Sequence, residues 1–90
     1  MRVICTDHFS KRVQQRLHGV SPKKLARGIV WAIEQGRIDL VRFAGRCKYE
    51  NCVVRRFQFD TPDGRTFEAV VNDETHKMMK FVTVYPKDPQ

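Results

Sequence analysis

Ninety residues, 41% hydrophobic and 30% charged, suffice for one two-layer domain and fall outside the low-hydropathy range of disordered chains. Seventeen Lys and Arg against ten Asp and Glu leave a net charge of +7, which favours an anionic partner, most commonly nucleic acid for a small basic domain. No apolar run approaches the roughly 18–20 residues that span a bilayer, the start Met-Arg-Val-Ile-Cys-Thr-Asp is too short and polar for a signal peptide, and three cysteines are an odd number for a disulfide framework; a cytoplasmic protein with reduced thiols and no membrane association is expected.

A short strand-like stretch, Arg2 to Cys5, opens the chain. Thr6 or Asp7 then offers an N-cap, and Phe9, Val13, Leu17 and Val20 recur at helical spacing, which predicts an amphipathic helix over residues 8–18 ended by Gly19. Residues four apart stack on one helix face, so His8, Arg12 and Arg16 line one edge of the apolar stripe. Ser21-Pro22 starts a second helix with a capping side chain and a proline at its first position. Leu25, Ile29 and Ile33, flanked by Ala26, Val30 and Ala32, give it a wide apolar face suited to packing on a sheet. Lys23, Lys24 and Arg27 then point to water, Trp31 lies off the centre of the face, and Gly36 ends the helix.

After Gly36 the period changes from 3.6 to 2. Arg37 to Phe43 reads as a strand followed by a turn at Ala44-Gly45-Arg46, and Cys52 to Phe59 as the next strand. Thr61-Pro62-Asp63-Gly64 is a turn signal, because proline presets the first turn dihedral and glycine accepts a positive φ. Thr66 to Asn72 follows as a strand, and Asp73-Glu74-Thr75-His76 turns the chain into the last one, Met79 to Tyr85, closed by Pro86. Strict alternation puts Val82 and Val84 on one face of that strand and Phe81, Thr83 and Tyr85 on the other. The sum is an α+β domain covering residues 1–90, with residues 87–90 as a loose tail. Its two N-terminal helices pack on one face of a four-stranded antiparallel sheet with short connections.

Chemistry is sought on the open sheet face. Thr83 and Tyr85 come from the last strand and the Arg55-Arg56 pair from the second, only one of those arginines sharing parity with Val54 and Gln58. With His8 and Arg12 they make a set suited to phosphodiester cleavage without a metal: a histidine moves the proton, guanidinium forks hold phosphate, and hydroxyls position or protonate the leaving group. Cys5, His8, Cys47 and Cys52 together supply four ligands suited to tetrahedral zinc, but the second pair is loosely spaced and buried or incidental thiols are the commoner explanation, so neither metal nor cofactor is assigned.

His8-x-x-x-Arg12 opening the first helix, Gly19-Val20-Ser21 before the second, Gly36 ending it and a final Val82-Thr83-Val84-Tyr85 resemble the small toxin-like domains of the barnase/EndoU/colicin/RelE superfamily, in particular an uncharacterised family of bacterial and phage proteins with the same element order. The resemblance implies metal-independent RNA cleavage by 2′-hydroxyl attack, leaving a cyclic phosphate, on the sheet face away from the helices. It also implies RNA as a partner, together with an antitoxin or immunity protein. His8, Arg12, Thr83 and Tyr85 are the matched catalytic positions. Arg55 and Arg56 are assigned to RNA by location, with Arg16 and Lys80 beside them. Leu17-His18 separates Arg16 from Gly19, a longer interval than in the related helices, so Arg16 is not a matched residue. A basic nucleic-acid-binding or interaction module of the same fold without the chemistry is the alternative.

Overall fold

The computed structural model describes residues 2–72 and 77–87. The order is β1 (Arg2–Cys5), α1 (Asp7–Arg16), α2 (Pro22–Glu34), β2 (Val41–Tyr49), β3 (Cys52–Asp60), β4 (Thr66–Asn72) and β5 (Met78–Pro86). The α+β class and the two helices follow the sequence reading; the sheet departs from it. The described residues form five strands, ordered β1-β5-β4-β3-β2, and β1 runs parallel to β5 while the other pairs are antiparallel. Four residues are too short a stretch to carry a periodicity, which is why β1 was indistinct in sequence. Its direction is dictated by α1 and α2, which carry the chain back over the sheet before the meander begins.

Both helices start at a side-chain cap. Thr6 Oγ1 accepts from Phe9 N–H at 3.1 Å and Ser21 Oγ from Lys24 N–H at 3.4 Å, with Pro22 in the first turn of α2. Helix α1 is shorter at its end than residues 8–18, and Leu17 caps it. Phe9, Val13 and Leu17 from α1 and Ala26, Ile29, Val30 and Ala32 from α2 are buried against Phe57, Phe59, Phe67, Ala69, Val71, Met79, Phe81 and Val84 of the sheet. Leu25 and Ile33, expected to be fully buried, are partly so and pack on the rim of this core.

Two bulges correct the expected strand pattern. In β5 the register with β4 slips by one residue between Val70 and Val71, so Val82 is extra: Phe81 faces Val71, and Thr83 faces Val70. The slip reverses parity across Val82. Phe81 therefore enters the helix-side core, its ring 5.3 Å from that of Phe9, while Thr83 and Tyr85 keep to the open face. In β2 the slip falls between Phe43 and Arg46, within the segment expected to turn. Ala44-Gly45 is instead a bulge inside a nine-residue strand, with Gly45 at φ +102°. The reversal comes at Glu50-Asn51, both at positive φ (49° and 66°), a two-residue hairpin of the type whose twist matches the strands. The expected strand start at Arg37 is also late: Ile38 and Leu40 are exposed in the α2–β2 connection, where Arg37 pairs with Asp39 at 2.8 Å. The expected turn at Asp73–His76 lies outside the described residues.

Candidate active site

One cross-strand row organises the open face. Register sets Gln58 of β3 beside Glu68 of β4, and Glu68 beside Tyr85 of β5. Phe67 and Ala69 on either side of Glu68 point into the helix-side core, so alternation sends the carboxylate outward. It is nevertheless only 1% exposed, because three hydrogen-bond donors and a guanidinium close over it. Tyr85 donates its O–H to Oε2 at 2.5 Å; Gln58 Nε2 and Lys87 Nζ donate to Oε1 at 3.1 Å each; Arg56 Nη1 stands 3.6 Å from Oε2. Burial alone would push the Glu68 carboxyl up, but the hydrogen bonds from Tyr85, Gln58 and Lys87, with the Lys87 charge, outweigh it and hold Glu68 below the ordinary carboxylate value. Tyr85 moves the other way. Burial, then its hydrogen bond to Glu68 and the Glu68 charge, push the phenol up to about 12, against a lowering by the nearby Arg56. At neutral pH the site thus holds a carboxylate, a protonated phenol and two cations, a local charge of +1 (Arg56 and Lys87 against Glu68).

The next row sets Arg56 beside Val70, and Val70 beside Thr83. Arg56 is fixed by the β2 bulge: its Nη2 donates to the carbonyl of Ala44 at 2.6 Å, and a Cβ on Gly45 would come within 3.1 Å of the same nitrogen. The bulge thus supplies both an acceptor and the space for the guanidinium. The buried Nε–H of Arg56 has no hydrogen-bond partner among the described residues.

The residues singled out from sequence divide between two layers. Arg56, Thr83 and Tyr85 share the open face, and Lys80, opposite Asn72, is exposed toward the far end of β5. Arg55 has the opposite parity, its guanidinium 5.5 Å from the Phe57 ring on the helix side. His8 and Arg12 belong to α1. Thr6 N–H donates to Phe81 O and Thr6 Oγ1 to Val82 O, so His8 stands near the Phe81–Val82 level on the helix layer. Tyr85 is three residues further along, about 10 Å at ~3.3 Å per residue, and on the other face. No hydrogen bond or ion pair joins His8 to Tyr85 among the described residues. Arg12 Nη1 donates to Gln15 within its own helix.

Arg16 also has a local task. Beyond Cys5 no strand continues alongside β5, and groups from α1 take over that edge: Thr6 Oγ1 donates to Val82 O at 3.0 Å and Arg16 Nη1 to Val84 O at 3.3 Å. The zinc alternative is split by topology. Cys5 lies in β1 at one edge, its S–H directed at the Pro22 carbonyl, whereas Cys47 and Cys52 lie in β2 and β3 at the other edge; among the described residues no three His, Cys, Asp or Glu converge on a metal position.

Glu68, Gln58 and Lys87 were not singled out from sequence. Glu68 is a charged residue within the run Phe67-Glu68-Ala69-Val70-Val71, every member of which is buried, and that placement was the available signal. Lys87, read as the start of a loose tail, instead donates its backbone N–H to Thr66 O at 2.8 Å as well as its ammonium to Glu68. Comparison with protein-family models, curated proteins and solved structures returned no match. Among the described residues no helix is long and apolar enough to cross a membrane.

Proposed function

We propose that this protein is a metal-independent endoribonuclease of toxin type, with its reacting centre on the open sheet face around Tyr85. The observation that carries the reading is the 2.5 Å hydrogen bond from Tyr85 to a carboxylate that is itself 1% exposed and flanked by two cations. Substrate cannot reach Glu68 directly, but it can reach it through the phenol. In the step, the RNA 2′-hydroxyl gives its proton to Tyr85 Oη as the Tyr85 proton passes to Glu68. The 2′-oxygen attacks phosphorus, the P–O5′ bond breaks, and the leaving 5′-oxygen takes a proton from the Lys87 ammonium, which regains one from protonated Glu68, 3.1 Å away. Products are a 2′,3′-cyclic phosphate and a 5′-hydroxyl. Arg56 stabilises the charge that develops on the phosphoryl oxygens. A carboxylate held below its ordinary value is a weak base, so the relay contributes toward the low end of general acid–base catalysis, about 10²-fold.

A second reading is favoured by a specific observation: both oxygens of Glu68 already accept hydrogen bonds. On that reading the carboxylate orients Arg56, Lys87 and Tyr85 for phosphate, and the face binds RNA without cutting it. Incubation of total RNA with the protein in EDTA separates the two. Cyclic-phosphate ends that accumulate with wild type, persist in His8→Ala and fall in Tyr85→Phe support the enzyme; their absence, with salt-sensitive binding retained, supports the binding module.

A further inference from the structure

A second basic surface lies on the helix side of the sheet, between α2 and the edge strand β1. Lys23, Arg27 and Trp31 follow one another four residues apart on α2, hence about 6 Å apart along the helix at ~1.5 Å per residue. The stripe is exposed to solvent, as its charges suggested in sequence. It forms one wall of a groove of about 500 Å³ whose other wall is Arg2 and Val3 of β1, and the groove continues past Lys23 into a second hollow of about 500 Å³ beside Pro22 and Ser10. Arg2, Lys23 and Arg27 have no carboxylate partner among the described residues, and Glu34 is the one acidic side chain lining the groove. Trp31 at its end is 49% exposed, with the Arg37 guanidinium 5.9 Å from the ring centre. β1 pairs only with β5, so its outer backbone edge lies along the same groove unpaired by the sheet.

We infer that this groove binds a single-stranded nucleic acid, with Arg2, Lys23 and Arg27 on successive phosphates and an unpaired base stacked on Trp31. The regular spacing of cations ending in an exposed aromatic ring is the arrangement that tracks a flexible polyanion carrying planar bases. An acidic peptide would use the cations and leave the ring idle; an anionic bilayer would use both, but it needs an outward apolar face, whereas these cations line a groove between α2 and β1. A duplex offers no unstacked base, so the groove discriminates against it. The site is independent of cleavage on the open face.

Trp31 is the sole tryptophan of the chain, so its emission reports this groove and nothing else. The probe is a twelve-residue oligo(dT), which lacks the 2′-hydroxyl and so cannot be cut by the proposed route; binding is therefore read whether or not the protein is a nuclease. Titration should quench Trp31 emission to saturation. Measured by anisotropy of labelled oligo(dT), Trp31→Leu should weaken binding about 5- to 150-fold, the range for loss of one stacked base. Lys23→Ala with Arg27→Ala, both on exposed positions, should lower the salt slope of log affinity by about 1.4, at ~0.7 per phosphate contact. Lys48→Ala, at an exposed position of β2, should leave the quenching unchanged. Absent quenching, an unaltered salt slope in the double variant, or equal quenching by polyglutamate or by phosphatidylglycerol vesicles would overturn the inference.

Discussion

Glu68 is a single charge on which three other side chains depend, and the dependence runs in both directions. Burial would push its carboxyl up, and the hydrogen bonds from Tyr85, Gln58 and Lys87 outweigh that; burial and then the bond to Glu68 push the Tyr85 phenol up in turn. The folded value for Tyr85 is raised, so the stability from this bond is complete below the ordinary value of 10.0 and lost as pH rises toward about 12. Tyr85→Phe should remove the tyrosinate absorbance step near 12, and should lower RNA cleavage by about 10²-fold in kcat with little change in KM. A variant that cuts RNA at the wild-type rate would exclude Tyr85 from the relay. Arg16 makes a different expectation, because its hydrogen bond goes to the Val84 carbonyl and not to the open face. Arg16→Ala should cost about 1–2 kcal/mol in urea unfolding, as loss of a charged hydrogen bond to a partly buried acceptor does, and leave RNA affinity on the open face unaltered.

At the level of elements, the chain was legible wherever a local signal stands alone. Ser21-Pro22 for the start of α2, Thr61-Pro62-Asp63-Gly64 for the β3–β4 turn and the limits of β4 all follow from capping and turn chemistry. Bulges were not legible, since one extra residue leaves composition untouched while exchanging the two faces of everything beyond it. Strict alternation put Phe81 with Thr83 and Tyr85; the added Val82 separates them, and the aromatic ring goes to the core while the hydroxyls stay outside. The β2–β3 turn was hidden for a similar reason. Glu50-Asn51 carries no glycine, and Ala44-Gly45-Arg46 offered a better turn signature at what is a bulge. Gly45 is the element's decisive residue. Gly45→Ala should place a methyl group against the Arg56 guanidinium at a φ that L-residues rarely adopt, costing about 1–2 kcal/mol and displacing Arg56. Cleavage or RNA binding should then fall as far as in Arg56→Ala, whereas a loss of stability alone would separate the bulge from the site.

Taken as a whole, the molecule keeps apolar packing and charged chemistry on opposite sides of one sheet. That division separates the residues singled out in sequence: His8 and Arg12 lie on α1, in the layer that fills the core, whereas the groups that meet Tyr85 come from strands and from the residue after Pro86, and no local pattern in sequence announces that meeting. It also gives the open face its own dependence on pH. Glu68 has a folded value below the ordinary 4.5, so its contribution is present above about 4.5 and is lost as pH falls through the folded value. Protonation there strips Arg56 and Lys87 of their counter-charge in a chain already at +7, and self-repulsion adds to the loss. Thermal melts at pH 7, 5, 4 and 3 should show a midpoint that is steady at first and falls steeply at the acid end. Glu68→Gln should melt several degrees lower at pH 7, because two partly exposed cations lose a buried partner at a cost of about 1–3 kcal/mol, and its midpoint should decline less on acidification. Asp39, Asp60 and Asp63 are also held below their ordinary values, by Arg37 for Asp39, by Thr66 and then Arg42 for Asp60, and by Thr61 and then Arg65 for Asp63, and they remain in both proteins. Their common contribution cancels in the comparison, so the gap between the two curves belongs to Glu68. Parallel curves from pH 7 to pH 3 would mean that the Glu68 carboxylate is not the acid-sensitive tie across the open face.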